Sequence, residues 1–123
     1  MSEIKPDIIA AIRLFSKKEG GRSRPLPPRF GCPIEYKGHK FDCKFWCDDY
    51  GGYFEPGMFR ENIPIRFLWP EGIVPRLKTG EHFAIWEGGI IGEGIVTEIL
   101  TSYESEFETY FDSQDLPKSP KLK

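Results

Sequence analysis

Apolar and polar residues alternate along several short stretches of the chain, and a period of two is typical of β-strands with one buried face. The pattern is clearest at residues 40–47. One face of that stretch carries Phe41, Cys43, Phe45 and Cys47, and the other carries Asp42, Lys44 and Trp46. Residues 63–69 alternate in the same way, which predicts that Ile63, Ile65, Phe67 and Trp69 share a face. We expect the apolar faces of both stretches to lie in a core.

A continuous apolar run at residues 8–15, between Pro6 and Gly20-Gly21, predicts a buried strand. Together with residues 30–36, 40–47 and 63–69 and the two sides of Gly88-Gly89 between residues 83 and 100, it gives six predicted strands. Paired glycines supply the positive φ angles of a tight hairpin turn. Short strands between frequent glycine and proline turns are typical of small barrels and sandwiches. The sequence therefore predicts an all-β fold, a single six-stranded antiparallel Greek-key-like barrel, with residues 17–29 and 48–60 as loops.

The chain changes character after Leu100. Its aromatic residues recur there at helical spacing, at Tyr103, Phe107, Tyr110 and Phe111. We interpret residues 1–102 as the barrel and residues 103–123 as an acidic, aromatic tail. The tail is either a short amphipathic helix that packs on the barrel or a peptide that orders on a partner, and its last residues, 117–123, are expected to be disordered.

Composition and charge sharpen this picture. A chain of 123 residues with ten Phe and 39% hydrophobic residues is long enough for one domain with a substantial core. The net charge is only -2. However, residues 17–29 hold five Lys and Arg against one Glu, whereas residues 98–115 hold six Asp and Glu and no Lys or Arg. This distribution favours a cationic face and an acidic tail, and the alternative is two solvated loops of opposite sign.

The sequence gives no indication of a secreted, membrane-spanning or disulfide-stabilised protein. The N-terminus has no hydrophobic signal region, and the longest aliphatic run, residues 8–12, is far shorter than the ~20 residues of a membrane span. We expect a cytoplasmic protein that does not bind membranes. The three cysteines do not suggest a disulfide framework, because their number is odd and no secretory context accompanies them.

Four residues raise the question of a zinc site: Cys32, His39, Cys43 and Cys47. On a strand, Cys43 and Cys47 lie about 13 Å apart at ~3.3 Å per residue, which is too far to bind one ion. Small buried hydrophobic residues are the better interpretation. Because His39 and His82 also lack a neighbouring nucleophile pattern, we predict no catalytic residue, metal or cofactor.

Two motifs occur in the same order, and with similar spacing, in a known family. The first is Lys18-Glu19-Gly20-Gly21-Arg22, and the second is the stretch at residues 83–89 with Gly92 and Gly94 after it. Residues 55–57 and 94–100 add a Pro-Gly turn and a final strand. Over residues 8–100 the chain resembles the C-terminal β-barrel domain of bacterial and organellar elongation factor Tu. It has no phosphate-binding loop of the kind in that family's GTPase domain, so we expect neither nucleotide binding nor GTP hydrolysis.

The resemblance implies a site. In that family the barrel packs on the GTPase domain, receives the exchange factor and contacts the T-stem backbone of aminoacyl-tRNA. Matched by motif, the tRNA contacts are Arg22, Glu87 and Gly88, and Arg24 and Arg29 join them as RNA-binding candidates in the same cationic loop. Arginine pairs with phosphate oxygens, and a carboxylate or a glycine backbone can approach a ribose 2′-hydroxyl. The alternative is that Arg22 and Glu87 are turn residues joined by a local salt bridge.

The chain departs from the family beside this site. Trp86 stands where the family has Arg, and Ile90-Ile91 stand where it has Arg-Thr. Charge is lost and apolar surface is gained, which makes Trp86, Ile90 and Ile91 protein-interaction candidates. One hypothesis is therefore a non-catalytic module that binds tRNA, other RNA or a translation factor. The other is a protein-interaction or adaptor domain that uses the barrel surface or the acidic tail and mimics elongation factor Tu toward one of its partners.

Overall fold

The computed structural model describes residues 5–47 and 53–103, which form one curled, antiparallel, half-barrel sheet. Its eight strands are β1 (Ile8–Leu14), β2 (Arg29–Gly31), β3 (Ile34–Tyr36), β4 (His39–Phe41), β5 (Cys43–Trp46), β6 (Phe59–Phe67), β7 (His82–Trp86) and β8 (Ile90–Ile99). Their order across the sheet is β2-β5-β6-β1-β8-β7-β3-β4. A short helix, α1 (Pro70–Ile73), and a 3₁₀ turn at Val74–Arg76 connect β6 to β7. The all-β class is thus confirmed.

Two of the six predicted strands are each divided into two. Residues 30–36 become β2 and β3, and residues 40–47 become β4 and β5. The pairs Phe30↔Phe45 and Ile34↔Phe41 nevertheless keep one register, so all four strands belong to a single long hairpin. Its two-residue turn is Lys37-Gly38, and φ is positive at both residues, as a type I′ turn requires.

This hairpin is bent near Pro33, and its two halves pair with opposite ends of the sheet. On one side β3 pairs with β7, and at the bend the Trp86 amide donates to the Pro33 carbonyl at 2.9 Å. On the other side β5 pairs with β6, and the Leu68 amide donates to the Asp42 carbonyl at 3.0 Å. Proline has no amide hydrogen, so a bend at Pro33 leaves no proline donor without a partner. The bend divides two predicted strands into four, and the sheet therefore has eight strands instead of six.

The core lies inside the curl of the sheet. The predicted inward faces are confirmed for both stretches. The buried residues are Phe41, Cys43, Phe45 and Cys47 in the first and Ile63, Ile65 and Phe67 in the second. Trp69 was predicted to join them but is 44% exposed. The strand ends at Phe67, and the Trp69 ring packs over Gly72 of α1, where an added Cβ would lie 2.3 Å from the ring.

Strand β6 also begins earlier than the sequence indicates, at Phe59 within the predicted loop. Arg60 occupies an inward position there and is 8% exposed, with its guanidinium 4.8 Å from the Phe54 ring and donating to the Tyr53 carbonyl at 2.9 Å. Asn62 has a φ of 59°, next to an irregularity in the pairing of β6 with β1. Because of this early start Pro64 lies inside the strand rather than at its beginning.

The end of the described chain is attached by one buried carboxylate. Asp7 is 2% exposed and accepts hydrogen bonds from the Phe67 amide (2.8 Å), the Thr101 hydroxyl (2.9 Å) and the Tyr103 hydroxyl (3.0 Å). The Leu100 amide donates to the Asp7 carbonyl at 2.8 Å. Tyr103, the first predicted tail residue, therefore packs on the domain. The rest of the predicted tail, residues 104–123, lies outside the described residues.

The described segments contain no helix with the length and hydrophobicity needed to cross a membrane.

The predicted loop at residues 17–29 is ordered at its start by a 3₁₀ turn, Lys17–Glu19. The Ser16 hydroxyl accepts from the Glu19 amide, and the Glu19 carboxylate accepts from the Ser16 amide, which together form a capping box. Gly20 ends the turn with a φ of 94°. At Gly21 an added Cβ would lie 2.2 Å from the Phe15 carbonyl oxygen, so only glycine fits there.

Candidate RNA-binding surface

The β7–β8 turn is built as the glycine pair predicts. Gly88 and Gly89 have φ angles of 67° and 153°, both in the range that favours glycine. The Glu87 amide donates to the Gly89 carbonyl at 2.8 Å and closes the turn. This geometry leaves the Glu87 side chain 46% exposed at the tip of the hairpin. An added Cβ at Gly88 would meet nothing within 4 Å, so the backbone there is open to an approaching molecule.

Arg22 contacts this turn directly. Its Nη1 donates to Glu87 Oε1, and its Nε donates to the Arg24 carbonyl at 3.0 Å. The Arg22 side chain is 25% exposed, because these two contacts hold it against the hairpin. The two motifs that carry the resemblance, 65 residues apart in the chain, therefore meet in one place. The same contact is also the local salt bridge of the alternative interpretation.

A second ion-pair network lies at the start of the Gly20-Gly21-Arg22 loop, at Glu19. Arg13 of β1 donates to both carboxylate oxygens of Glu19, at 3.0 and 3.1 Å, and to Glu93 of β8 at 3.2 Å. The hydrogen bond from Arg13, with that from Ser16, lowers the pKa of Glu19 to about 2. Glu19 thus stays ionised and ties the loop to β1.

The other cationic candidates, Arg24 and Arg29, are both exposed. Arg24 lies in the loop next to the Arg22 side chain, and Arg29 begins β2, opposite Trp46 of β5. Between them Leu26 is 4% exposed and pairs with Phe54 through two backbone hydrogen bonds of 2.8 and 2.9 Å. The structure therefore brings the Arg24 backbone carbonyl to the Arg22 guanidinium, whereas Arg29 belongs to the β2–β5 ladder.

The three protein-interaction candidates differ in exposure. Ile90 is 48% exposed, and Trp86 is half-buried with the Lys40 ammonium 4.6 Å from its ring centroid. Ile91, in contrast, is only 6% exposed. Successive residues of a strand point to opposite faces, so Ile91 points into the core when Ile90 points out. Its assignment to an interaction surface was wrong.

Cys32 lies near this surface, and its thiol is neutral there. Burial raises the pKa of the Cys32 thiol to about 12, and the Glu87 carboxylate adds to the effect while Arg22 opposes it. Burial also raises the pKa of Cys43, whose thiol donates to the Cys32 carbonyl at 3.3 Å. Among the residues that the structure describes, no group of three or more His, Cys, Asp or Glu is placed to hold a metal ion.

The structure has a further charged surface, on β5 and β6, that the sequence pattern did not predict. On the outer face of β5 and β6, Lys44 and Arg66 stand directly opposite each other at a cavity of about 290 Å³, which Trp46 and Leu68 also line. We call this the β5–β6 groove. The alternation predicted that Lys44 and Trp46 point outwards, but only the pairing register shows that Arg66 faces Lys44.

No protein-family model matches the chain, and no curated protein matches it. The resemblance to elongation factor Tu therefore rests on the two motifs, on their order, and on the residues around them.

Proposed function

We propose that this protein is a non-catalytic RNA-binding module of the type found at the C-terminus of elongation factor Tu. It binds the RNA backbone with Arg22, Arg24 and the Glu87-Gly88 turn. One observation carries the proposal: the Arg22–Glu87 contact joins the cationic loop to the closing hairpin. The resemblance to that family rests on two motifs that are distant in the chain. It is strengthened because the fold brings a charged residue of each motif into contact.

The proposed fold type is a six-stranded barrel, in which β2 with β3 counts as one bent strand and β4 with β5 as another. Two features support this view. The hairpin keeps one register across its bend. Hydrogen bonds from Trp86 to Pro33 and from Leu68 to Asp42 also connect the bend itself to both of its neighbours. On this view the sheet has no open edge at the hairpin.

The proposed binding chemistry uses a small number of groups. The Arg22 guanidinium directs Nη1 to Glu87 and Nε to the Arg24 carbonyl, which leaves Nη2 for a phosphate oxygen. Arg24, two positions further along the loop, adds a second exposed cation. In this proposal the Gly88 backbone and the Glu87 carboxylate contact a ribose 2′-hydroxyl, the group that distinguishes RNA from DNA.

The test is tRNA binding by fluorescence anisotropy in a salt series, with a DNA hairpin of equal length as a comparison. Arg22→Ala should weaken binding and reduce the salt slope by about one counterion, and Arg22→Glu should weaken binding further. Lys78→Ala removes an exposed cation away from the site and is the matched control. An absence of tRNA binding even at about 50 mM salt, where electrostatic association is strong, would refute the proposal.

The alternative function, a protein-interaction domain, is favoured by the exposure of Ile90 beside Trp86. A pull-down from host lysate, with and without ribonuclease, separates the two functions. Trp86→Ala should abolish capture of a protein partner and spare tRNA binding if this surface contacts protein. If ribonuclease removes the captured partner, the interaction is mediated by RNA, which supports the first function.

A further inference from the structure

The β5–β6 groove presents positive charge in an unusual arrangement. Lys44 and Arg66 are exposed and directly opposed in the antiparallel register, and like charges in such pairs destabilise a sheet. Neither forms an ion pair with another described residue. Among the described residues that line the groove, the one acidic residue is Asp42, so the net charge of this described lining is positive. A group with several carboxylates would relieve this repulsion.

The groove also offers apolar surface. Leu68 is 79% exposed, the highest value among the large hydrophobic residues of the described chain. The half-buried ring of Trp46 lies along the same cavity. Apolar surface of this kind beside two cations suits an occupant that is both acidic and aromatic.

The described chain ends beside this groove. The Tyr103 hydroxyl donates to the carboxylate of Asp7, and the other oxygen of that carboxylate accepts from the amide of Phe67, which itself lines the groove. The next aromatic residue, Phe107, is four positions further on. At ~3.5 Å per extended residue it can reach about 14 Å from Tyr103. The groove is thus within reach of the residues that follow.

Those residues have the required composition. Residues 104–115 contain five Asp and Glu, no Lys or Arg, and the aromatic residues Phe107, Tyr110 and Phe111. We propose that the segment 104–112 docks in the β5–β6 groove of its own chain. Its carboxylates lie against Lys44 and Arg66, and its aromatic side chains lie against Trp46 and Leu68. This inference concerns a different surface from the proposed RNA site and does not depend on it.

The test is carbodiimide cross-linking of the full chain, which joins a carboxylate to a lysine amine without a spacer, with mass spectrometry to identify the pairs. An equal mixture of ¹⁴N and ¹⁵N protein separates links within a chain from links between chains. We expect Glu106 and Glu108 to link to Lys44 within one chain, in preference to Lys17 or Lys78. High salt should lower the yield, because exposed charges are screened.

Two variants test the contributions separately. Arg66→Glu should lower the yield of the Lys44 link by about fivefold, the upper range for an exposed ion pair, whereas the same charge reversal at Lys78 should leave it unchanged. Phe107→Ser, which keeps every charge, should lower it as well. Equal yields at Lys44, Lys17 and Lys78 would overturn the proposal, and so would an unchanged yield in Arg66→Glu. Links found only between chains would assign the groove to a second copy and overturn docking within the chain.

Discussion

Asp7 offers the sharpest test of how the described chain is held together. Its carboxylate is 2% exposed and accepts three hydrogen bonds, from the Phe67 amide, the Thr101 hydroxyl and the Tyr103 hydroxyl. Asp7→Ala removes both acceptor oxygens and with them all three hydrogen bonds. The two hydroxyls are only partly buried and can turn towards water, so the main loss is at the buried Phe67 amide.

The magnitude follows from these contacts. A buried amide without an acceptor costs ~1–3 kcal/mol, and each lost hydroxyl bond adds about 1 kcal/mol. The variant also lacks the desolvation cost of the buried carboxylate, which offsets part of this loss. The net result is a decrease of about 2–4 kcal/mol in the free energy of unfolding. Asp7→Asn should cost less, because its amide oxygen still accepts from Phe67 and its amino group can donate to a hydroxyl oxygen.

Urea unfolding followed by circular dichroism measures this difference, and hydrogen exchange at the Phe67 amide locates it. Asp42→Ala is the matched control, since it removes an exposed carboxylate near the same strand end and should change stability by less than about 0.5 kcal/mol. Equal stabilities of Asp7→Ala and Asp42→Ala, or an unchanged exchange rate at Phe67, would refute the reasoning.

Three further predictions concern the loop and the hairpin. Gly94→Ala should lower the free energy of unfolding by about 1–3 kcal/mol, because the new Cβ would lie 2.3 Å from the buried Phe83 ring; an unchanged melting temperature would contradict this. Gly89→Val should cost about 1–3 kcal/mol from backbone strain alone, measured by urea unfolding, since its φ is 153°. Arg13 lowers the pKa of Glu19 from 4.5 to about 2, so this carboxylate stabilises the fold above pH 4.5 and loses that effect as the pH falls towards 2. Below pH 4.5 the stability of Glu19→Gln should therefore fall less steeply with pH than that of the wild type. An identical fall in both proteins would show that the Arg13–Glu19 pair contributes nothing.

The pattern of apolar residues predicted the strands that have a simple inward face and failed where tertiary contacts interrupt that pattern. Residues 8–14 alternate regularly between buried and half-buried positions, and the prediction for that strand holds to within one residue. The start of β6 was missed because Arg60, a charged residue, takes an inward position and Asn62 breaks the period. The buried Arg60 guanidinium lies over the Phe54 ring and donates to the Tyr53 carbonyl. A pattern of apolar residues cannot indicate such a position.

Some features of the candidate site follow from the sequence, and others depend on tertiary structure. The positive φ angles of the Gly88-Gly89 turn follow from the sequence. The proximity of Arg22 to Glu87 came from the resemblance, because no periodicity relates residues so far apart. The exposure of Ile90 and the burial of Ile91 depend on the face of β8 that each one occupies, and the turn geometry decides this. Similarly, the opposition of Lys44 and Arg66 is a property of register, which strand prediction alone does not supply.

The pairing of β1 with β8 has a consequence for how this domain can be joined to other proteins. The strands run antiparallel side by side, and the Leu100 amide bonds to the Asp7 carbonyl, so the chain enters and leaves the domain at neighbouring points. Adjacent antiparallel strands lie ~5 Å apart, which is close to the spacing of two residues in a surface loop. The domain can therefore be inserted into a loop of a host protein without separating the host's two halves. For the same reason, a short linker between its ends should permit circular permutation, with new ends placed at the exposed Lys37-Gly38 turn.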